Sequence, residues 1–353
     1  MKHVVVLGAQ VPFVTGGAEL LNRSLVREIN KLNGVKAEEV KLPFKWYPET
    51  QILNDIMAWR LMDLSEANGR KIDLAISTKF PTYALPHNNK ALWLVHQHRT
   101  LYDLENTKYD CWNFEPDCRL VREKIRKLDN KFFGEFECHY TISRTVSKRL
   151  ERFNGIKSKP LFPPPFLSEK IAPGKYGDKI IYIGRLEPNK RPDFLLEAAC
   201  FSKKAKVSII GRGRQEDHER LLALIKNLGI SDRCELLGFL PENEFLHYLS
   251  VARAVFYAPL DEDYGYATIE SFLAQKPVIT CNDSGEVKLF VEETEAGFIS
   301  DSDPKKIGDN LSAIYDLTDN ELKEMVMPGY ELAKTITWEK ILEKLVLENL
   351  NDR

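Results

Sequence analysis

A segment rich in proline, glycine and lysine interrupts this chain near its middle. Residues 157–178 read KSKPLFPPPFLSEKIAPGKYGD, a composition that neither a helix nor a central strand accommodates. On both sides of this segment, short apolar runs alternate with helical stretches. The runs are HVVVLG, IDLAIST, ALWLVHQ and YTIS before it, and KIIYIGRL, KVSIIGRG, CELLGFL, AVFYAPL and KPVITC after it. Alternating strands and helices predict an α/β protein with parallel sheets that are covered on both faces.

This alternation predicts two Rossmann-like domains whose parallel sheets face a central cleft. We place the first domain over residues 1–162 and the second over residues 163–332. A C-terminal helix over residues 333–353 is expected to cross back to the first domain. A chain of 353 residues is long enough to give each domain its own core. Because ligands of such sheets bind at the carboxyl ends of the strands, we expect the ligand in the cleft.

Composition excludes several classes of protein. A hydrophobic fraction of 43% and a charged fraction of 29% are typical of soluble globular proteins. The six cysteines form no C-x-x-C pair, which favours reduced thiols in a cytoplasmic protein. The N-terminal run MKHVVVLGAQ predicts a first strand and not a signal peptide. Since no stretch approaches the roughly 18 apolar residues that span a bilayer, we expect no export and no membrane span.

The charges are distributed unevenly along the chain. Residues 119–159 hold twelve Lys and Arg against five Asp and Glu, whereas residues 283–325 hold four against twelve. The first half is therefore expected to face an anionic partner, such as a phospholipid surface or a phosphorylated acceptor. The alternative is that RLVREKIRKLDNKFF forms an ordinary amphipathic helix, with its inward-facing residues at Leu120, Ile125, Leu128 and Phe132. No recognised nucleic-acid-binding module accompanies the charge.

The decapeptide DEDYGYATIE at residues 261–270 carries the strongest functional signal. It places Glu262, Gly265 and Glu270 between a predicted strand, AVFYAPL, and a predicted helix, ATIESFLAQ. A helix that starts directly after a glycine turn exposes free backbone N–H groups, which suit an anion such as a diphosphate. We expect one carboxylate in the loop and the other on the first helical turn, both reaching the same ligand.

Several motifs in the same order resemble the family 4 retaining glycosyltransferases (glycosyl transferase group 1), which have the two-domain GT-B fold. In the second half these are IGRLEPNKRPDFLLEA, IIGRG, LLGFLPENEFLHYLSVARAVFYAP and EDYGYATIESFLAQKPVIT. In the first half they are TGGAE and WLVHQHR. The chain departs from the family at NDSGEVKLFVEETEAGF, where a second glycine after Gly285 and a glutamate near Leu289 are usual.

The resemblance implies a role for each matching residue. Arg185 and Lys190 would hold the leaving diphosphate, Glu262 would face the donor sugar, and His96 would contact that sugar or assist the acceptor. Glu270 would accept hydrogen bonds from the ribose. The residues implied in donor binding are Gly16, Gly17, Gly184, Gly211, Phe239, Leu240, Gly265, Tyr266, Ala267, Thr268 and Glu270.

For several of these residues a purely structural role stays open. Gly16 and Gly17 also suit a simple tight turn. His96 also suits a structural role, and Arg99 and Tyr102 suit either an acceptor pocket or packing.

The implied activity is the metal-independent transfer of a hexose to a hydroxyl of a glycan or of a lipid-linked acceptor. We favour a UDP-sugar as donor, with GDP-mannose second, and expect neither a cofactor nor a metal. No carboxylate offers itself as a nucleophile on the opposite sugar face, so the resemblance implies front-face displacement. Alternatives are a sugar-nucleotide epimerase of the same fold, a non-catalytic nucleotide-sugar-binding protein, and metal-dependent chemistry at the D-x-D sequences DED and DSD.

The sequence evidence about the acceptor comes from one segment, KLPFKWYPETQILNDIMAWRLMDL. Its aromatic and apolar residues suit docking of a lipid-linked or oligosaccharide acceptor, with peripheral contact at the inner membrane face. Alternatively, Ile52, Ile56, Trp59 and either Met62 or Asp63 have the helical spacing of core residues. The sequence predicts no oligomeric state.

Overall fold

The computed structural model describes residues 1–14, 16–107, 110, 112 and 116–351. It divides into two compact units. The first comprises Met1–Phe166 with Thr337–Arg353, and the second comprises Leu167–Ile336. Each unit contains a parallel sheet with helices packed against it, so the predicted α/β class is confirmed.

The sheet of the first unit contains, within the described residues, six parallel strands in the order β2-β1-β5-β6-β7-β8. A short antiparallel hairpin, β3-β4, lies outside it. The strands are β1 (Lys2–Gln10), β2 (Val35–Pro43), β3 (Glu66–Ala67), β4 (Arg70–Lys71), β5 (Leu74–Ser77), β6 (Lys90–Leu94), β7 (His139–Thr141) and β8 (Lys159–Pro160). The α-helices between them are α1 (Gly17–Ile29), α2 (Gln51–Leu61), α3 (Pro116–Phe133) and α4 (Arg144–Asn154). Single 3-10 turns lie at Thr82–Ala84 and Arg99–Leu101.

The second unit, all of whose residues are described, has a six-stranded parallel sheet in the order β11-β10-β9-β12-β13-β14. The strands are β9 (Lys179–Ile183), β10 (Lys206–Ile210), β11 (Cys234–Gly238), β12 (Ala254–Phe256), β13 (Val278–Cys281) and β14 (Gly297–Ser300). The α-helices are α5 (Pro192–Ala199), α6 (Gln215–Asn227), α7 (Glu242–Val251), α8 (Tyr266–Leu273), α9 (Glu286–Thr294), α10 (Pro304–Asp316) and α11 (Asp319–Lys334). A 3-10 turn at Pro188–Lys190 precedes α5. The core of the second unit is apolar, because its central strands lie between helix layers and bury both of their faces.

The C-terminal segment clusters with the first unit. It consists of α12 (Trp338–Leu342), a π-helical turn (Glu343–Leu347) and α13 (Glu348–Asn351). The Trp338 ring contacts Trp93 on β6 edge to face at 6.3 Å, and Asn89 Nδ2 donates to the Asn349 carbonyl oxygen at 2.9 Å.

The prediction for the inward face of α3 is wrong at Leu120, which is exposed. Ile125 and Phe132 are buried as predicted, but the same face also buries Arg122 and Asp129. Arg122 forms ion pairs with acidic side chains of the preceding loop. The spacing of apolar residues alone therefore does not identify the buried face of a helix when that face also contains charged residues with partners.

For α2 the core alternative is confirmed. Ile52, Ile56 and Trp59 are all buried. The aromatic residues just before the helix, Trp46 and Tyr47, are exposed. Among the residues that the structure describes, no helix combines the length and apolarity of a bilayer span.

Candidate active-site residues

In the second unit, the candidate residues follow the carboxyl ends of neighbouring strands. Gly184 follows β9, Gly211 follows β10 and Phe239 follows β11. Glu262 lies in the loop between β12 and α8. Because all these strands are parallel, the loops meet at one edge of the sheet, where α/β proteins bind ligands.

Lys190 and Glu262 form an ion pair at this edge. The Lys190 ammonium donates to Glu262 Oε2, and the two side chains are only 14% and 16% exposed. Lys190 ends the 3-10 turn after β9. Two residues separated by 72 positions thus place a cation and an anion side by side.

Tyr182 supports the loop that carries Lys190. Its hydroxyl lies beneath the loop and is in hydrogen-bonding range of the carbonyl oxygens of Arg185 at 2.7 Å and of Lys190 at 3.3 Å. Burial, followed by the charge of Glu262, holds the pKa of Tyr182 well above its ordinary value. Tyr182 is therefore a neutral hydrogen-bond donor that fixes the backbone at both ends of the predicted phosphate-binding segment.

The two glycines at the strand ends permit close backbone contact. The Gly184 N–H donates to the Ile210 carbonyl oxygen at 3.1 Å. A Cβ at Gly211, whose φ is +159°, would overlap the Gly184 carbonyl oxygen, and a Cβ at Gly184 would lie 2.8 Å from the Tyr182 hydroxyl. The two loops can meet at this distance only without side chains.

The N-terminus of α8 begins at Gly265, which adopts the left-handed conformation with φ +85°. A Cβ there would lie 2.5 Å from Val287 Cγ2. Tyr266, Ala267 and Thr268 are the first three residues of the helix, and the Thr268 N–H donates to the Gly265 carbonyl oxygen at 2.9 Å. The N-terminal end of a helix favours negative charge because the peptide dipoles align along its axis. The buried Thr268 hydroxyl has no hydrogen-bond partner within the fully described second unit. This helix end is therefore a favourable place for an anionic or hydroxyl-rich ligand.

Glu270 is buried on α8, and burial raises its pKa to about 7. The prediction that it lies on the first helical turn is wrong: the helix starts at Tyr266, so Glu270 lies in the second turn. Burial, and after it the nearby carboxylates of Glu262 and Glu270, hold the pKa of Tyr257 well above its ordinary value. Glu262 and Glu270 therefore both lie close enough to the buried Tyr257 phenol to raise its pKa.

Arg185 and the β11 end show a more open arrangement. The Arg185 side chain is 63% exposed and pairs with Glu187 at 2.7 Å, not with the Lys190–Glu262 pair. Phe239, also exposed, lies under the Arg212 guanidinium, 3.6 Å from the ring centroid. Leu240 follows it and is half-buried.

A second ion pair, which the sequence did not indicate, lies beside Lys190. The Arg191 guanidinium donates to both carboxylate oxygens of Asp283 at 2.7 Å each. Asp283 follows β13, 92 residues away. Its only sequence signal is that Arg191 adjoins Lys190.

In the first unit, Gly16 precedes α1 and Gly17 is its first residue. The Gly16 N–H donates to Glu19 Oε2 at 2.8 Å, and Glu19 Oε1 pairs with Lys79 Nζ at 2.5 Å. Burial raises the pKa of Glu19, but the hydrogen bond and charge of Lys79 outweigh it and hold the pKa low. The glycine loop is thus tied to the segment after β5 by two residues that the sequence analysis missed.

The histidines after β6 have different surroundings. The His96 Nδ1 lies 2.6 Å from the Gln97 carbonyl oxygen. His98 lies among the rings of Phe44, Phe80 and Trp112. Burial lowers the pKa of His98 to about 4, so its ring is neutral at physiological pH. The surroundings of His98 are therefore those of a side chain packed in the core.

Of the two residues offered for an acceptor pocket, Tyr102 is buried. Its hydroxyl donates to Asp129 Oδ2 at 2.7 Å. Arg99 Nε donates to Asp103 at 2.7 Å. The packing alternative fits Tyr102.

Comparison with known proteins identifies the class. Residues 166–328 match the family model described as glycosyl transferases group 1. A D-inositol 3-phosphate glycosyltransferase of Frankia alni is 26% identical over 149 residues, covering 39% of this chain and 37% of the relative. A Campylobacter jejuni enzyme, N-acetylgalactosamine-N,N'-diacetylbacillosaminyl-diphospho-undecaprenol 4-alpha-N-acetylgalactosaminyltransferase, is 33% identical over 127 residues, covering 35% and 33%. The chain thus spans less than half of the length of these curated relatives.

Solved structures match over the whole chain. Anabaena HepE in complex with UDP and glucose superposes with a TM-score of 0.69 at 14% identity, covering 100% of both chains. Sucrose-phosphate synthase from Thermosynechococcus elongatus superposes with a TM-score of 0.79 at 13% identity, covering 99% of both. The fold is therefore GT-B, as predicted. The glycosyl transferases group 1 family model covers nearly all of the second unit of this chain.

Proposed function

We propose that this protein is a metal-independent retaining glycosyltransferase that moves a hexose from a UDP-sugar to a hydroxyl of a glycan or lipid-linked acceptor. One observation carries the proposal: the Lys190–Glu262 pair lies in the same strand-end loops as the glycine-capped N-terminus of α8. A cation and the N-terminus of a helix suit a diphosphate, while a carboxylate suits sugar hydroxyls.

Each group has a part in the proposed reaction. As the bond between the anomeric carbon and the phosphate oxygen breaks, negative charge grows on the leaving diphosphate. Lys190 would exchange Glu262 for a phosphate oxygen, and Arg185, exposed at the surface, would move from Glu187 to another phosphate oxygen. Stabilisation of charge that develops in the transition state lowers the barrier. Glu262, released from Lys190, would then accept hydrogen bonds from the donor sugar, and Glu270 from the ribose.

Retention of configuration is proposed through front-face displacement. The acceptor hydroxyl attacks on the face that the diphosphate leaves, and its proton passes to the departing phosphate oxygen. Double displacement needs a carboxylate nucleophile on the opposite sugar face, whereas the proposal assigns Glu262 to hydroxyls of the donor sugar and Glu270 to the ribose. His96 is proposed to contact the donor sugar or the acceptor.

A UDP-sugar is preferred as donor, with GDP-mannose second. Anabaena HepE, which shares the fold, has been solved with UDP and with UDP-glucose. The Phe239 ring and the Arg212 guanidinium present a flat, cationic surface at the end of β11, and a nucleobase stacks favourably on such a surface.

A thermal-shift panel of UDP, GDP, ADP, TDP and their common sugar conjugates, with excess EDTA, tests the donor proposal. UDP and one UDP-sugar are expected to stabilise the protein by about 2.7 kcal/mol at a hundred times their Kd. Stabilisation only after adding Mn²⁺ or Mg²⁺ would favour the D-x-D alternative. Conversion of the UDP-sugar to its epimer without any acceptor would favour the epimerase.

Acceptor docking at a membrane is proposed for an exposed apolar surface of the first unit. We define the apolar surface by its members: Phe13, Val14, Trp46, Tyr47 and Leu120. Phe13, Val14, Trp46 and Tyr47 lie in loops, and Leu120 lies on α3. Hydrogen bonds join these segments, from the Phe44 N–H to the Gln10 carbonyl at 2.9 Å and from Cys118 Sγ to Glu49 at 2.9 Å.

The chemistry of this surface suits a phospholipid interface. Phe13 is fully exposed, and tryptophan and tyrosine prefer the headgroup region of a bilayer. Lys45, whose ammonium lies 4.7 Å from the Tyr47 ring centroid, and the exposed Arg119 add positive charge. Relatives that include an enzyme named for a diphospho-undecaprenol-linked acceptor are consistent with a lipid-linked substrate.

Cosedimentation with vesicles of phosphatidylcholine and phosphatidylglycerol tests membrane contact. Trp46→Ser and Phe13→Ser are each expected to weaken binding by about tenfold, the cost of leaving one aromatic side chain out of an apolar phase. Phe201→Ser, at an exposed phenylalanine of the second unit, is the matched control and should not change binding. Equal binding by all variants would exclude this surface.

A further inference from the structure

We propose that Arg191 and Asp283 form a positioning clamp that fixes the spacing between Lys190 and Glu262, and that Arg191 is not itself a phosphate ligand. The inference rests on the proposed function of the Lys190–Glu262 site. It assigns a role to a cation that directly follows Lys190 and would otherwise be taken for a third phosphate-binding group.

The clamp joins the Lys190 turn to the loop after β13, and that loop is bonded in turn to the loop that carries Glu262. Both terminal nitrogens of Arg191 donate to Asp283, one to each carboxylate oxygen, at 2.7 Å. Ser302 Oγ donates to Asp283 Oδ1 at 2.8 Å. Parallel bidentate bonds between a guanidinium and a carboxylate set both distance and orientation. The clamp is therefore a rigid connection and not a chance surface pair.

One end of the clamp controls Lys190. Arg191 is the next residue and adopts the left-handed conformation with φ +54°. That conformation is unfavourable for a residue with a side chain, so the bonds of the guanidinium to Asp283 help to keep the turn in it. The Arg191 side chain is 11% exposed. The position of the Lys190 ammonium therefore depends on Arg191.

The other end controls Glu262 through the backbone. The Asp283 carbonyl oxygen accepts the Asp261 N–H at 2.8 Å, and the Glu262 carbonyl oxygen accepts the Glu286 N–H at 3.1 Å. Gly285, with φ +58°, lets the loops meet, since a Cβ there would lie 2.6 Å from the Glu262 nitrogen. The backbone on both sides of Glu262 is thus held by the loop that contains Asp283.

A third hydrogen bond closes the connection. The Leu260 N–H donates to the Asn189 carbonyl oxygen at 2.9 Å, which joins the Glu262 loop directly to the Lys190 turn. Burial raises the pKa of Asp283, but its hydrogen bonds to Arg191 and Ser302 hold the pKa below the ordinary value. Asp283 is therefore ionised at neutral pH, and the clamp is closed under physiological conditions.

The clamp should affect turnover more than nucleotide binding. UDP has other proposed contacts, at α8 and at Phe239, that do not depend on Arg191. Transition-state stabilisation depends on the placement of Lys190, and a displacement of about 1 Å can cost on the order of a hundredfold in rate. A direct phosphate ligand would behave differently, because its loss weakens UDP binding itself.

A double-mutant cycle separates the two roles. The variants are Arg191→Met, Asp283→Leu and both together, assayed with UDP-glucose for UDP release and with UDP for binding by calorimetry. We expect each single variant to lower kcat by about 10–100-fold, the double variant to lower it no further, and the Kd for UDP to stay within about threefold. Asp283→Asn, which keeps the shape of the side chain, replaces Asp283→Leu if the latter does not fold.

The Asp283→Leu variant distinguishes the clamp from direct phosphate binding by Arg191. If Arg191 binds phosphate directly, Arg191→Met weakens UDP binding, while Asp283→Leu frees the guanidinium and leaves UDP binding unchanged or stronger. That pattern would overturn the clamp. Arg253→Met is the matched control for general destabilisation, because Arg253 is a part-buried arginine bonded to carbonyl oxygens elsewhere in the second unit, and kcat should not change.

A crystal structure of Asp283→Asn gives an answer that does not depend on activity. The clamp predicts that Lys190 Nζ and Glu262 separate beyond ion-pair distance or become disordered. An unchanged Lys190–Glu262 pair would overturn it. If the wild-type protein neither binds UDP nor releases it from UDP-glucose, the proposed function fails, and this structural test still decides the clamp.

Discussion

At the scale of single residues, Lys190 and Glu262 are the groups on which catalysis should depend most. Lys190→Met is expected to lower kcat/KM by about 10²–10³-fold, since one group that stabilises developing charge is lost. The free energy of unfolding should fall by about 1–3 kcal/mol, because Glu262, whose side chain is only 16% exposed, loses its partner. UDP release from UDP-glucose and chemical denaturation measure the two effects.

The matched control for Lys190 is Lys179→Met. Lys179 pairs with Glu235 in the same unit, at the opposite ends of the strands. The Lys179→Met substitution should leave turnover unchanged. Equal losses in both variants would mean that charge in general, and not the placement of Lys190, accounts for the effect.

Glu270 predicts a pH dependence of stability. Burial raises its folded-state pKa to about 7 from the ordinary value of 4.5. The folded protein therefore holds this proton more tightly than the unfolded chain, so stability falls as pH rises from about 4.5 to about 7. Glu270→Gln removes this contribution and should be more stable than wild type at pH 8 by roughly 2–3 kcal/mol, but not at pH 4. Parallel denaturation curves of the two proteins at both pH values test it, and an identical pH dependence would contradict it.

At the scale of elements, the strands were predicted best because each buried strand is a short apolar run bounded by polar residues. The edge strands β2, β8 and β14 were not predicted, whereas the edge strand β11 was. β2 reads VKAEEVKLP, in which exposed and half-buried positions carry charge, so it lacks the apolar signal of a central strand. Strand prediction therefore depended on a continuous apolar run, which β11 has and β2 lacks.

Pairing between distant residues was not predictable. The neighbourhood of Lys190 and Glu262 followed from a resemblance, but the Arg191–Asp283 clamp had no signal because 92 residues separate its members. Likewise, the inward face of α3 includes Asp129, which accepts a hydrogen bond from the buried Tyr102. Spacing rules treat such charged residues as exposed, whereas their partners come from other elements.

The start of α8 tests how one turn supports the ligand site. Gly265→Ala adds a left-handed alanine and a Cβ 2.5 Å from Val287 Cγ2. We expect a destabilisation of about 2–5 kcal/mol, the sum of backbone strain and overpacking, together with loss of UDP binding. Gly229→Ala is the control: its φ is +66°, but nothing lies near the added Cβ. It should cost only the strain of about 1–3 kcal/mol and leave UDP binding intact.

At the scale of the whole molecule, the chain leaves the first unit, forms the second and returns. Residues 337–353 complete the first unit: Leu345 is fully buried there, and Trp338 packs on Trp93. The second unit has its own core, in which Leu311 is equally buried. Each unit thus has a local stability that the core of the other does not supply.

This division makes a reciprocal prediction. Leu345→Ala and Leu311→Ala remove the same side-chain groups from two different cores, and each should lower the free energy of unfolding by about 2–5 kcal/mol. Hydrogen exchange should show Leu345→Ala weakening protection in β6 of the first unit while α8 and its response to UDP stay unchanged. Leu311→Ala should weaken protection in β13 and β9 and leave β6 unchanged. If either substitution lowered protection equally in both units, the chain would unfold as one cooperative body, and the final segment would stabilise the second unit as well as the first.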